Sequence, residues 1–283
     1  MSDLALTLLR GAVTSPFKRP ARPGATLPPA RAVLPPARVS PGRLASYNRI
    51  CGFGEPAGLP LTYPHVLGFP PAMRVMAGRA FPLPVLGLVH TWIEITGHRA
   101  IGPADSPEIT VYAGALTPHR RGTEVTMVTE ARLDGELVWE SRSGYLSRHA
   151  TRGAAAPSAS AAQATTRAGG TGEELPAVAV WQLPGDLGRR YGAASGDRNP
   201  IHLHPLTARL FGFPRPIAHG MWTVARCLAE AEAAAPGRIR TVRADFRSPV
   251  PLPATVTYAA AGSLFEVRGA GRVHLRGRLT REG

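Results

Sequence analysis

The chain has 283 residues, 44% of them hydrophobic, and 33 lysines and arginines against 19 acidic residues give it a formal charge of +14. This length and apolar content suit two ordinary domains or one large one and exclude a wholly disordered or collagen-like chain. The longest apolar stretches, Phe81–Val89 and Trp222–Ala235, are broken by Pro, His, Arg or Glu short of the roughly 18 residues a membrane span needs.

Residues 1–38 read as an arm rich in Arg and Pro, in which only Ala32–Leu34 resembles a short strand. The arm shares its Arg content and scarcity of acids with transit peptides, but it lacks a clear amphipathic helix and a serine-rich stretch. A first folded half is expected over residues 39–147. Its strand-like segments are Leu88–Thr96, Glu108–Leu116, Glu124–Leu133 and Leu137–Leu146, rich in Val, Ile, Thr, Tyr and Trp, and Asp134-Gly135 carries a hairpin signal. Residues 148–176 are almost devoid of large apolar side chains and read as a flexible linker. The second half, residues 177–283, opens with a strand at Ala177–Gln182 and a helix near Pro184–Ala194. A longer helix is expected from about Ile217 to Ala233, then strands at Val242–Phe246, Ala254–Ala261, Leu264–Gly269 and Arg272–Leu279. Each half therefore reads as a central helix followed by an antiparallel meander, an α+β class.

The two halves suggest a diverged duplication. Tyr47–Gly52 aligns with Tyr191–Gly196, and Phe69–Met73 with Ile217–Met221. The residue after the shared glycine is Phe53 in one half and Asp197 in the other, so polar chemistry is expected in the second half alone.

Cys51 and Cys227 are the only cysteines, too few for a disulfide framework and not spaced as metal ligands, which points to a reducing cytoplasm. Lys18 is the only lysine, so 32 of the 33 basic residues are arginine. That ratio, with abundant Gly, Pro and Ala, reads as the codon usage of a GC-rich genome. No basic recognition helix or interleaved aromatic set accompanies the charge, so neither a nucleic-acid nor a membrane partner is expected.

The dense cluster of reactive groups is Ser195-Gly196-Asp197-Arg198-Asn199-Pro200-Ile201-His202-Leu203-His204. Gly196 and Pro200 force a turn that brings Asp197, Asn199 and His202 together. A carboxylate beside an imidazole serves as general acid and base near neutral pH, with an amide to orient water or substrate. Pro216–Met221 then opens the longer helix, where Gly220 lets a substrate oxygen approach unpaired N–H groups. The alternatives are a solvated loop, a metal site built on Asp197, His202 and His204, and, for His219, a structural hydrogen-bonding role at the helix start. No further Cys, His or Glu cluster completes a ligand set, so no metal is expected.

The stretch YGAASGDRNPIHLHPLTARLFGFPRPIAHGMWTVARCLAE, residues 191–230, strongly resembles the hydratase-2 signature of the MaoC-like hot-dog family. VRADFRSPVPLPATVTY, residues 242–258, looks like the strand and turn that follow it there. LTYPHVLGFPPAMRVM and HRRGTEVTMVTEARLDGELVW are similar to the degenerate first hot dog of the two-hot-dog members. The resemblance implies a double hot-dog fold, each half a long helix wrapped by a curved antiparallel sheet. It also implies an (R)-specific 2-enoyl-thioester hydratase or (3R)-hydroxyacyl-thioester dehydratase that needs no cofactor and acts on acyl-CoA or acyl-ACP.

By the same resemblance the catalytic pair falls on Asp197 and His202, the assisting amide on Asn199 and the oxyanion-hole N–H on Gly220. Ser195, Ile217, His219, Met221, Phe53 and Arg198 are expected around the substrate. Arg198, Arg209, Arg215 and Arg247 are candidates to line the carrier arm. The first half, its helix displaced or unwound, is expected to make room for the acyl chain, and a homodimer of the internal pseudo-dimer is a further expectation. The competing readings are a hot-dog thioesterase and a non-catalytic hot-dog subunit that needs a partner chain.

Overall fold

The computed structural model describes residues 26–36, 38–54, 58–85, 87–150 and 174–282. Most of the expected arm and linker, residues 1–25 and 151–173, therefore lies outside the described residues. In the first half, strand β1 (Arg31–Leu34) precedes helices α1 (Pro41–Cys51) and α2 (Tyr63–Ala77) and strands β2 (Val89–Gly97), β3 (Glu108–His119), β4 (Gly122–Leu133) and β5 (Glu136–Arg148). In the second, β6 (Ala177–Leu183) leads to α3 (Leu187–Ser195), a 3-10 turn (Pro200–His202), α4 (Pro205–Leu210) and α5 (Gly220–Ala234). Strands β7 (Ile239–Phe246), β8 (Ala254–Ala261), β9 (Leu264–Gly269) and β10 (Arg272–Arg281) complete it.

All strands join one antiparallel ten-stranded sheet in the order β1-β3-β4-β5-β2-β7-β10-β9-β8-β6. Read from either end, the order is the same pattern, so two five-stranded units meet edge to edge at β2 and β7. That seam runs from Trp92 opposite Asp245 to Thr96 opposite Thr241. In β4, Val125, Met127, Thr129, Ala131 and Leu133 alternate into the core, with Val128 buried as well on the other face. The Asp-Gly turn forms as expected, with Asp134 and Gly135 both at positive φ between β4 and β5.

The duplication is visible in backbone geometry. Helices α1 and α3 both end on a left-handed glycine, Gly52 at φ 83° and Gly196 at φ 84°, whose N–H groups bond the Asn48 and Gly192 carbonyls. Tyr47 and Tyr191 pack against each other with ring centroids 6.0 Å apart. Phe53 and Asp197 then follow equivalent turns.

The second proposed alignment is corrected by the helix caps. Phe69–Met73 lies in the middle of α2, whereas Ile217–Met221 straddles the start of α5. Both helices have 15 residues, so Thr62-Tyr63 is the positional counterpart of His219-Gly220. Helix α5 begins at Gly220 rather than near Ile217 because the preceding residues are drawn into pairing elsewhere: Ile217 bridges Pro251, and the Ala218 N–H bonds the Val250 carbonyl at 2.9 Å. Each half also carries more than one helix. The first-half helix is not unwound, since α2 is continuous through Pro70 and Pro71. It lies over β1, β3 and β4, while α5 lies against β7, so the two long helices are not placed symmetrically about the seam.

Candidate active site

The site is built on the turn after α3. The buried Ser195 hydroxyl donates to the Tyr191 carbonyl at 2.9 Å and accepts the Asp197 N–H at 3.2 Å, which ties the turn to the helix behind it. The Asp197 carboxylate folds forward to accept the Asn199 backbone N–H at 3.1 Å. Asn199 in turn caps the 3-10 turn by accepting the Ile201 N–H at 3.4 Å. The turn delivers His202 back against α3, an approach that only glycine allows at position 188, where a Cβ would lie 1.9 Å from the His202 carbonyl.

His202 is held from the other side by the segment before α5. Its Nδ1 donates to the Ile217 carbonyl at 2.7 Å, so the proton sits on Nδ1 and Nε2 carries the lone pair. His219, the N-cap of α5, is 2% exposed and donates from Nε2 to the Asp197 backbone carbonyl at 3.0 Å. Its ring stacks on that of His202 with centroids 3.6 Å apart. Behind it packs Tyr191, at 4.8 Å. The helix start itself has no side-chain cap, which leaves the first N–H groups of α5 available to a ligand.

Burial acts on the pair in opposite directions. Desolvation raises the Asp197 carboxyl above its ordinary value, against the pull of His202 and the Asn199 N–H. It lowers the His202 imidazole, against the Asp197 charge and the Ile217 carbonyl. The two proton affinities therefore converge, as suits groups that pass a proton between them. The Asp197 side chain nonetheless keeps 26% of its surface, as a group facing open space does. His219 is lowered further by desolvation and by the neighbouring His202, which keeps it neutral.

The carboxylate of Asp197 and the nitrogens of His202 and His219 lie within 4.8 Å of one another. His202 Nδ1 and His219 Nε2 donate to backbone carbonyls, which leaves the Asp197 carboxylate, His202 Nε2 and the unpartnered His219 Nδ1 as the atoms that could hold a cation. His204 does not join the group: its Nδ1 accepts the Leu206 N–H at 3.2 Å and caps α4. The ligand set of Asp197, His202 and His204 weighed from the sequence is therefore not assembled.

Asp197, the Asn199 turn and His202 lie together, and Gly220 follows His219, whose ring stacks on His202; some of the residues named from the sequence hold different positions from those expected. Asn199 holds Asp197 through its backbone N–H, while its side-chain oxygen serves the turn. Ser195 and His219 stand behind Asp197 and position it. Ile217 contributes its carbonyl, and Met221 is core. Phe53 is 8% exposed and stacks on Tyr47, on the first-half side of the repeat. Arg198 is exposed.

Sequence reasoning missed a layer of rings from the sheet. A Cβ on Gly220 would lie 2.7 Å from the Phe246 ring. The Phe246 ring in turn packs 4.7 Å from that of His90, which stacks on Tyr145 at 4.5 Å and faces His65 at 6.3 Å. The Tyr145 phenol is pushed up by burial and by the charge of Asp197, so this layer reaches the site. His65 Nδ1 and His90 Nε2 are buried with no hydrogen-bond partner among the described residues. The one available signal was register: His90 and Tyr145 stand opposite each other on β2 and β5.

Comparison with known proteins places this geometry. Residues 171–269 match the MaoC like domain. The chain is 37% identical over 226 residues to 3-hydroxyacyl-thioester dehydratase X of Mycobacterium tuberculosis, covering 79% of this chain and 78% of that one. It is 36% identical over 63 residues to the peroxisomal enoyl-CoA hydratase 2 of Arabidopsis thaliana, covering 20% and 19% of the two chains. The crystal structure of HtdX from M. tuberculosis superposes with a TM-score of 0.75 at 31% identity, over 89% of this chain and 100% of that one. A MaoC-like dehydratase from Phytophthora capsici shares the fold, with a TM-score of 0.72 at 19% identity over 91% and 96% of the two chains. With its Asp197–His202 turn, its two-unit sheet and this extent of likeness, the chain belongs to the MaoC-like dehydratase family.

Proposed function

We propose that the chain is an (R)-specific 2-enoyl-thioester hydratase, equally a (3R)-hydroxyacyl-thioester dehydratase, acting on acyl-CoA or acyl-ACP in the cytoplasm. The observation that carries this reading is that the Asp197 carboxylate and the His202 imidazole lie together, with His219, the N-cap of the uncapped helix α5, stacked on His202 immediately before Gly220. The thioester likeness of the relatives supports it.

A thioester α-proton is weakly acidic, so the enolate that develops needs preorganised donors. The Gly220 N–H supplies one, a contribution of about 3 kcal/mol in the transition state. In hydration, Asp197 and His202 hold a water whose oxygen adds to C3 while its proton passes to the pair. The pair returns a proton to C2 on the same face. Dehydration runs the same steps backwards, and neither direction consumes a net proton or an electron. The Nδ1 bond to Ile217 keeps His202 in the tautomer this requires.

Residues 39–147 then serve as the acyl-chain half, with the acyl chain lying on the first-half side of the site. Two copies of the pseudo-dimer pair as a homodimer. The test is hydration of crotonyl-CoA by the purified chain alone, followed by loss of the enoyl-thioester absorbance. Release of free thiol in place of hydration would assign a thioesterase instead, and activity only in the presence of another chain would assign a partner-dependent subunit.

A further inference from the structure

Outside the catalytic turn, helices α1 and α3 enclose a groove of about 340 Å³ lined by Gly42, Arg43, Ser46, Arg49, Arg190 and Ala193. Three guanidinium groups face it and no carboxylate does. Elsewhere several arginines find acids: the half-buried Arg226 pairs with Glu230, Arg243 with Glu94 and Asp245, and Arg268, with the exposed Arg276, with Glu266. Among the described residues, Arg43, Arg49 and Arg190 form no ion pair. Like charges gathered around a concavity raise its positive potential and concentrate anions there.

The groove adjoins the chemistry. A Cβ on Gly196, the residue before Asp197, would lie 3.5 Å from the Arg43 guanidinium. The groove also runs between the two symmetry-related helices, so the first half contributes Arg43 and Arg49 and the second contributes Arg190. Guanidinium forks match phosphate oxygens in charge and planar geometry.

We propose that this groove binds a phosphate ester on the carrier arm of the thioester substrate. The first half thereby anchors the carrier as well as the acyl chain, through arginines other than Arg198, Arg209, Arg215 and Arg247. The proposal rests on the reading of the chain as a thioester hydratase. The phosphate belongs either to coenzyme A or to a carrier protein's phosphopantetheine.

The test is the paired variant R49Q/R190Q, which keeps exposed helix positions polar, checked for wild-type circular dichroism and melting. Hydration is compared on crotonyl-CoA, crotonyl-dephospho-CoA, crotonyl-4′-phosphopantetheine and crotonyl-pantetheine. In the variant, the kcat/KM ratio of crotonyl-CoA over crotonyl-pantetheine is expected to fall at least about tenfold, mainly through KM, as two lost charge-assisted contacts imply. An equal fall for the 4′-phosphopantetheine thioester identifies the phosphate shared with carrier proteins. A fall confined to crotonyl-CoA identifies the nucleotide 3′-phosphate. An unchanged ratio would overturn the groove while leaving the hydratase reading intact. If no thioester is hydrated by the wild type, the hydratase reading fails. The groove is then read by calorimetric titration with coenzyme A, where equal affinity in wild type and variant overturns it and weaker binding in the variant supports it.

Discussion

His202 and Ile217 are joined by a hydrogen bond of 2.7 Å from the imidazole Nδ1 to the backbone carbonyl, across fifteen residues of chain. The bond converts a sequence motif into a base of defined tautomer, since a carbonyl can only accept. It also makes the loop before α5 part of the candidate site's geometry, because Pro216 and Ala218 are themselves pinned to Leu252 and Val250.

Removing either member of the pair should therefore abolish proton transfer without unfolding the chain. Asp197→Asn and His202→Ala are each expected to lower kcat for crotonyl-CoA hydration by at least about 10²-fold. Near wild-type turnover in both variants, with circular dichroism unchanged, would sink the catalytic assignment.

Gly220 offers a test of the oxyanion position. A Cβ there meets the Phe246 ring at 2.7 Å, and that ring is backed by His90. Gly220→Ala should shift the start of α5 and lower kcat by about 10- to 10²-fold, the loss of one misplaced donor. Adding Phe246→Ala should restore part of it, because the obstruction is gone. A double variant no better than Gly220→Ala alone would show that the contact with Phe246 does not set the helix position.

Much of this arrangement was readable from local chemistry. Strands β8 and β9 fall where alternation placed them, and Asp197, Asn199 and His202 converge because a few consecutive residues with Gly and Pro dictate the turn. What escaped was non-local. The start of α5 depends on Ile217 meeting Pro251, and the match of Phe69–Met73 to Ile217–Met221 rested on composition that ignored where caps begin a helix. His65, His90, Tyr145 and Phe246 come from α2 and three strands, so only the folded sheet brings their rings beside Gly220. Arg43 likewise looked like one arginine among many until α1 was packed beside Gly196.

Those half-buried histidines, each with a ring nitrogen shut off from solvent, make a prediction about acid stability. Desolvation lowers His65 from 6.5 to about 4 and His90 from 6.5 to about 3, the latter also through His65. A group whose folded value is depressed binds protons better when unfolded, so its stabilising effect is complete above pH 6.5 and is lost as the pH falls toward the folded value. Unfolding free energy should thus decline between pH 6.5 and about 4, by on the order of 3 kcal/mol for His65 over that window. Urea unfolding of wild type and His65→Gln across the window measures it. The variant should show a flatter slope, and an identical slope would place the acid sensitivity elsewhere.

Asp197 shifts in the opposite sense, and this separates its role in folding from its role in catalysis. Its folded value is raised by burial, so the folded state holds the proton more tightly and the ionised carboxylate costs stability at neutral pH. Asp197→Asn removes that charge while keeping the shape, and the unfolding free energy at pH 7 should rise even as turnover collapses. The advantage should shrink as the pH falls through the folded value, where the wild-type carboxyl is already neutral. A variant less stable than wild type at pH 7 would mean that the bonds from Asn199 and the attraction of His202 outweigh desolvation. The site would then be a stabilising ion pair and not a strained one.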